Sequence, residues 1–214
     1  MFMQAGNAVV AKDDAGAIRP TLTSGGAESV LNFYTEFANP VKPTYSWNRA
    51  QPDSRSAFLS ARAAVYFGFG SELPELRKGN PNLNFDAAFF PRPRSSSLSI
   101  TYGKLTGIAV IRGSRNPSKA FEAALTLSGN AGATAWSKAS GLPPARRDLL
   151  AAKRGDAFGS ILYDSAIRAR AFLDPNPPAS AVVFQTMIEA VTSGKTYSSE
   201  ALSRANSELG GLIR

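Results

Sequence analysis

Ala63-Ala64-Val65-Tyr66-Phe67-Gly68-Phe69-Gly70 is a β-rich apolar run closed by glycines, the pattern of a strand buried on both faces of a covered sheet. Ser71 to Arg77 follows with helical character, so its first amides face whatever sits at the strand's C-terminal edge. Working outward, Phe85 to Phe90 and Gly107-Ile108-Ala109-Val110-Ile111 read as two further strands. Between them, Pro91-Arg92-Pro93-Arg94 and the serine tract 95–97 read as a crossover between structural units. Strands separated by helices imply an α/β fold with a largely covered sheet.

Upstream, Ala8-Val9-Val10 and Ala17-Ile18-Arg19 flank a turn rich in Asp and Gly and form a small hairpin. Ala27, Val30, Leu31, Tyr34 and Phe37 recur at helical spacing, with Thr23 or Ser24 as N-cap, and predict a helix over 26–38. A Pro-rich loop carrying Tyr45 and Trp47 comes next, then a short helix around 54–60. Downstream, Asn116 and Pro117 open a helix whose expected buried face is Ala120, Phe121, Ala124 and Leu125. A second helix over 131–139 stops at Gly141 and places Trp136 in the core. The last third is helical, over 158–172, 179–192 and 199–209.

Composition narrows the chemistry. The 214-residue chain has neither Cys nor His, which removes disulfides, thiol nucleophiles, iron–sulfur clusters, His-ligated metals and a Ser-His-Asp triad. No metal or cofactor is expected. The net charge of +8 is concentrated at the C-terminal side: ten basic against eight acidic residues over 1–97, fourteen against eight over 98–214. These cations come as scattered singles and pairs, such as Arg146-Arg147 and Lys153-Arg154, with no basic block and no aromatic-interleaved basic strand, so nucleic acid is not the expected partner. Apolar runs fall far short of the roughly 20 residues that span a bilayer. The start of the chain has no secretory signal pattern, so the protein is either cytosolic or carries its signal on preceding sequence.

The order of these features resembles the C-terminal half of family 1 extracellular solute-binding proteins, the maltose-binding-like substrate receptors of ABC importers. The resemblance is carried by Gln4-Ala5-Gly6-Asn7, by the 13–16 turn with the helix ending Leu31-Asn32-Phe33-Tyr34, and by Ala61-Arg62-Ala63-Ala64-Val65-Tyr66-Phe67-Gly68. Further along it is carried by Phe90-Pro91-Arg92-Pro93, Asn116-Pro117-Ser118-Lys119-Ala120-Phe121, Gly141-Leu142-Pro143-Pro144-Ala145-Arg146 and the helices over 190–202. No single motif is diagnostic; order and spacing carry the likeness. It implies a periplasmic-binding-protein-like fold of type II, with 1–97 as a second-lobe α/β segment, 98–150 as a return segment of the first lobe, and 151–214 as C-terminal helices packing on the second lobe. An export signal and a first-lobe βαβ unit, which begin members of the family, are expected on sequence before Met1. The resemblance also implies a monomeric, non-enzymatic receptor in the periplasm or outside the cell, free or lipid-anchored, that passes a small solute, a sugar by expectation, to membrane permease subunits.

Ligands in this fold lie at the C-terminal ends of strands. Phe69, Gly70, Ser71 and Glu72 match that position, where an aromatic ring, a hydroxyl and a carboxylate suit a sugar. The competing reading makes Phe69 a core residue and Glu72 a first-turn charge favourable to the helix dipole. Tyr102 and Gly103, beside Lys104, precede the 107–111 run and are further candidates. Tyr45 and Trp47 either stack on a solute or anchor their loop to the 26–38 helix. Two other functions compete. Glu72 and Glu75, three apart, would serve a carboxylate-dependent carbohydrate enzyme, and the basic C-terminal half would serve a nucleic-acid-binding module.

Overall fold

Helix start and stop signals decide most of the architecture. The computed structural model describes residues 1–94, 99–152, 155–174 and 176–213. The serine tract 95–97 and the Lys153-Arg154 pair lie outside the described residues. The helices are α1 (Ala27–Glu36), α2 (Ser54–Leu59), α3 (Leu73–Gly79), α4 (Pro117–Ser128), α5 (Asn130–Ser140), α6 (Arg147–Leu150), α7 (Ala157–Ile167), α8 (Pro177–Thr192) and α9 (Ser198–Leu212). The strands are β1 (Val10–Lys12), β2 (Ile18–Pro20), β3 (Thr101–Tyr102) and β4 (Ala169–Arg170). Contacts divide the chain into two units: 1–52 with 91–100 and 171–214, and 53–90 with 101–170.

In the first unit β1 and β2 form the expected antiparallel hairpin. Its turn closes because the Asp13 carboxylate accepts from the Ala15 and Ala17 amides, at 3.1 and 2.8 Å, and Gly16 takes a left-handed φ of 80° that costs glycine little. Leu22, Leu31 and Leu209 are fully buried where α1, α8 and α9 meet, with Val183, Met187 and Leu202 around them. Polar ties fix the register of this core: the Leu22 amide donates to Asn206 Oδ1 at 2.9 Å, and the Ser198 hydroxyl bonds the Asn32 side chain. Buried Gln4 donates from Nε2 to the carbonyls of Pro91 (3.0 Å) and Ile100 (3.2 Å), holding both ends of the 91–100 segment. Gly26 stands at the N-cap position of α1; the Ser24 hydroxyl instead donates to the Thr21 carbonyl.

In the second unit Asp53 caps α2 by accepting from the Ser56 amide at 3.0 Å. Asn80 Nδ2 donates to the Leu59 carbonyl at 2.7 Å, joining the ends of α3 and α2. Phe58 stacks on Tyr66 (centroids 5.6 Å) and meets the edge of Phe85 (5.4 Å), which meets Phe158 (5.8 Å). Two parallel residue pairs, Thr101 with Ala169 and Tyr102 with Arg170, join β3 to β4.

Several sequence expectations differ here, among them the helix expected over 158–172: α7 ends at Ile167, and Ala169–Arg170 leaves it to pair with β3. Residues 63–69, 85–90 and 107–111 form no ladder among the described residues, and Val65 and Phe67 are 69% and 62% exposed. An apolar run expresses a preference for burial, whereas a strand also needs a neighbour for its N–H and C=O groups. The expected buried face of α4 is uncovered, with Phe121 and Leu125 exposed. Trp136, expected in the core, is 72% exposed; α5 packs on α4, and nothing described covers its tryptophan side. Gly141 does end α5 in a left-handed conformation, as the sequence predicts.

Candidate functional site

Glu72 organises the surface on which the candidate residues meet. Ahead of α3 the chain makes a short 3-10 turn, Gly70–Glu72, and Glu72 Oε2 accepts from the Phe69 amide at 2.7 Å. This is half of a capping box, since phenylalanine offers no acceptor to return the bond. The Tyr66 hydroxyl donates to the same carboxylate, 3.3 Å from each oxygen. Burial, then the Glu72 charge, pushes the Tyr66 phenol up from its ordinary value, so it stays protonated and keeps donating. The Glu72 carboxylate is thereby turned back on its own loop.

That clamp fixes Phe69, and Phe69 gathers the rest. Its ring centroid lies 6.0 Å from that of Tyr102, tilted by 57°, and the Lys104 ammonium sits 4.6 Å above the same ring, within cation–π range. Both rings are open, Phe69 at 37% and Tyr102 at 45% exposure. Tyr102 and Lys104 are two apart in extended chain and share a face, and Arg170, Tyr102's register partner on β4, shares it too. Residues 101–104 alternate accordingly between half-buried and exposed. The Gly103 amide donates to the Arg170 carbonyl at 3.1 Å and the Thr101 amide to the Arg168 carbonyl at 3.3 Å. Thr101 Oγ1 fastens the strand to α7 through the Ser165 carbonyl at 2.8 Å.

The glycines serve packing on the opposite face. A Cβ on Gly103 would stand 2.7 Å from the Ala169 Cβ, and one on Gly70 would strike the Leu162 side chain. Ser71 is exposed in the 3-10 turn. Tyr45 and Trp47 lie in the first unit, where the Ser46 and Trp47 amides donate to the Phe37 carbonyl at 2.9 and 3.2 Å and the Tyr45 hydroxyl accepts from Asn48. Their loop is thus tied by its backbone to the end of α1. Glu75 pairs with Arg55, whose hydrogen bond holds its carboxyl below the usual range. With Glu72 clamped and Glu75 paired, the two carboxylates face different partners. Arg146 makes a two-pronged bond to Asp148, at 3.0 Å on each side.

Sequence reasoning missed Arg170, placed beside Tyr102 by a two-residue ladder spanning 68 positions that no local pattern reveals. It also missed a shallow concavity of about 310 Å³ lined by Arg77, Asn80, Asn84, Phe85 and Phe158, with the Arg77 guanidinium 4.8 Å above the Phe158 ring. Among the described residues no group of acidic side chains could hold a metal ion, and no helix is long and apolar enough to cross a membrane.

Comparison with known proteins places these features. A search of curated proteins finds no match. Among solved structures, the chain is similar to an ABC transporter solute-binding protein from Thermotoga lettingae TMO, bound with α-D-tagatose, with a TM-score of 0.63 at 20% identity. The alignment covers 100% of this chain and 55% of that one, so the chain spans about half the length of its structural neighbour. The fold is therefore periplasmic-binding-protein-like, a partial α/β chain dominated by helices. The family model for bacterial extracellular solute-binding proteins matches residues 1–157. The chain belongs to the bacterial extracellular solute-binding protein family.

Proposed function

We propose that this chain is part of the substrate-binding component of an ABC importer, and that its solute is a carbohydrate or related small molecule. The whole protein holds that solute in the periplasm or outside the cell, free or lipid-anchored, and hands it as a monomer to permease subunits without breaking a bond. Residues 1–97 supply second-lobe structure, 98–150 a return segment of the first lobe, and 151–214 the closing helices, in a type II arrangement. Uncovered apolar segments, 63–69 and 107–111 among them, support a partial lobe, because their side chains call for a cover that the described residues do not supply.

The observation that carries this reading is the open Phe69–Tyr102 pair, brought together by the Gly70–Glu72 turn and β3 of a solute-binding fold. Aromatic faces of this kind stack on the C–H faces of sugars, and the neighbouring strand ends supply hydrogen-bonding groups. Gly70, Ser71 and Gly103 contribute backbone and hydroxyl contacts beside the rings, with Glu72 holding Phe69 in place. Tyr45 and Trp47 are a second aromatic pair available to a solute. Closure of two lobes over the ligand provides affinity in the whole protein, so the 214-residue chain alone binds weakly.

The test is an NMR titration of the full chain with monosaccharides. Weak, saturable shifts confined to Phe69, Tyr102 and their neighbours, removed by Phe69→Ala, are expected. Shifts that persist in Phe69→Ala, or turnover of a glycoside, would overturn the reading.

A further inference from the structure

The surface that carries Phe69 and Tyr102 also carries two cations that form no ion pair among the described residues. Lys104 lies over the Phe69 ring. Arg170 is exposed beside Tyr102 and spends one N–H on its own chain, from Nη1 to the Ala169 carbonyl at 2.8 Å. Neither forms an ion pair among the described residues, although Arg55, Arg146 and Arg204 in the same chain all do. The nearest acid in the sequence of the site, Glu72, is turned away to the Phe69 amide and the Tyr66 hydroxyl. The result is an aromatic pair bordered by positive charge, with the Glu72 carboxylate turned back on its own loop.

From this we infer that the site selects a sugar acid over a neutral sugar: a monosaccharide whose ring lies on Phe69 and Tyr102 and whose carboxylate is met by Lys104 and Arg170. The inference rests on the reading of Phe69 and Tyr102 as a solute wall. Arg170 presents a planar fork that can hold both carboxylate oxygens, whereas Lys104 is a point charge seated over the Phe69 ring. A neutral sugar would offer these two exposed cations hydroxyls alone, the weaker arrangement. The surplus of cations over the C-terminal half, fourteen against eight acids, works in the same direction by drawing anions toward the surface.

The experiment titrates the full chain with galacturonate and glucuronate and with their neutral parents, galactose and glucose, following amide shifts at low and at moderate salt. The sugar acids should bind about tenfold more tightly than the neutral sugars, the combined effect of two exposed ion pairs, and added salt should shrink the difference. Lys104→Gln and Arg170→Gln should each weaken acid binding more than neutral-sugar binding, so that the ratio of the two affinities falls toward one. Equal affinity for acid and neutral sugars, or a preference that survives both substitutions, overturns the inference while leaving the solute wall standing if Phe69→Ala still abolishes the shifts. No shift at Phe69 or Tyr102 with any of the four sugars overturns the wall and the inference together.

Discussion

Removing the Glu72 carboxylate separates a clamp from a ligand. In Glu72→Ala the Phe69 amide loses an acceptor at 2.7 Å and the Tyr66 hydroxyl loses one at 3.3 Å. A lost capping acceptor costs about 1 kcal/mol. The Tyr66 bond, at 3.3 Å longer than a well-formed one, adds about 1 kcal/mol, less than the roughly 1.5–3 kcal/mol of a good hydrogen bond to a charged group. The sum, about 2 kcal/mol, lowers the thermal midpoint of a chain of this size by roughly 4–8 °C. Glu72→Gln keeps an amide oxygen in the acceptor position and forfeits only the charge, so about half that loss is expected. Thermal unfolding by circular dichroism reads both variants, and hydrogen exchange at the Phe69 amide reads the clamp directly: exchange should quicken strongly in Glu72→Ala and slightly in Glu72→Gln. Sugar binding should weaken in proportion to this loosening. If Glu72→Ala left the midpoint and the Phe69 amide unchanged while removing binding, the carboxylate would be a solute ligand and the clamp would be refuted.

Other consequences are equally open to measurement. Leu209→Ala, at a fully buried position of the first unit, should cost about 2–5 kcal/mol in urea unfolding, and a loss under 1 kcal/mol would show that α1 and α8 do not close on α9 there. Gly103→Ala, whose new Cβ would stand 2.7 Å from that of Ala169, should destabilise the second unit by about 1–3 kcal/mol and shift the Tyr102 and Arg170 amides; a silent substitution would contradict the β3–β4 packing. The Asp13, Asp148 and Glu75 carboxyls are held below their ordinary range by hydrogen bonds from Arg19, Arg146 and Arg55 respectively, and that of Asp53 by Ser56. Their folded values are depressed, so their stabilising contribution is present above the unfolded values near about 4 and is lost as pH falls through the folded ones. Stability followed by urea titration should therefore decline below about pH 4. Stability rising there would reverse the sign of the argument.

Helices were the legible part of this molecule, and the reasons are local. Leu31, Tyr34 and their neighbours repeat at helical spacing, Pro117 stands at a first helical position, and Gly141 takes the left-handed cap. Each of these signals lies within a few residues of what it determines. Pairing is different. Tyr102 meets Arg170 only because distant parts of the chain run parallel for two residues, and neither stretch carries an alternation long enough to announce a strand. Coverage was equally hidden: the stripe on α4 and the position of Trp136 are apolar in sequence, yet whether another element lies over them is not written in the stripe. Phe69 and Tyr102 could be nominated because glycines and strand ends mark where such folds present side chains. That Lys104 and Arg170 join them follows only from the register.

The two sides of β3 also explain why glycine stands where it does. Gly70 and Gly103 attract a functional reading, since a missing side chain lets a ligand approach the backbone. The space each leaves is taken by Leu162 and by the Ala169 methyl, so their smallness brings the 3-10 turn down onto α7 and β3 down onto β4. With the inner face so closely packed, Tyr102 and Lys104 cannot turn inward, and Phe69, pinned through its amide by Glu72, leans across to meet both. The recognition surface is thus a consequence of packing beneath it. Substitutions on the hidden face should alter solute selection as strongly as substitutions among the exposed rings, because a preorganised wall loses affinity when its support loosens by a fraction of an ångström.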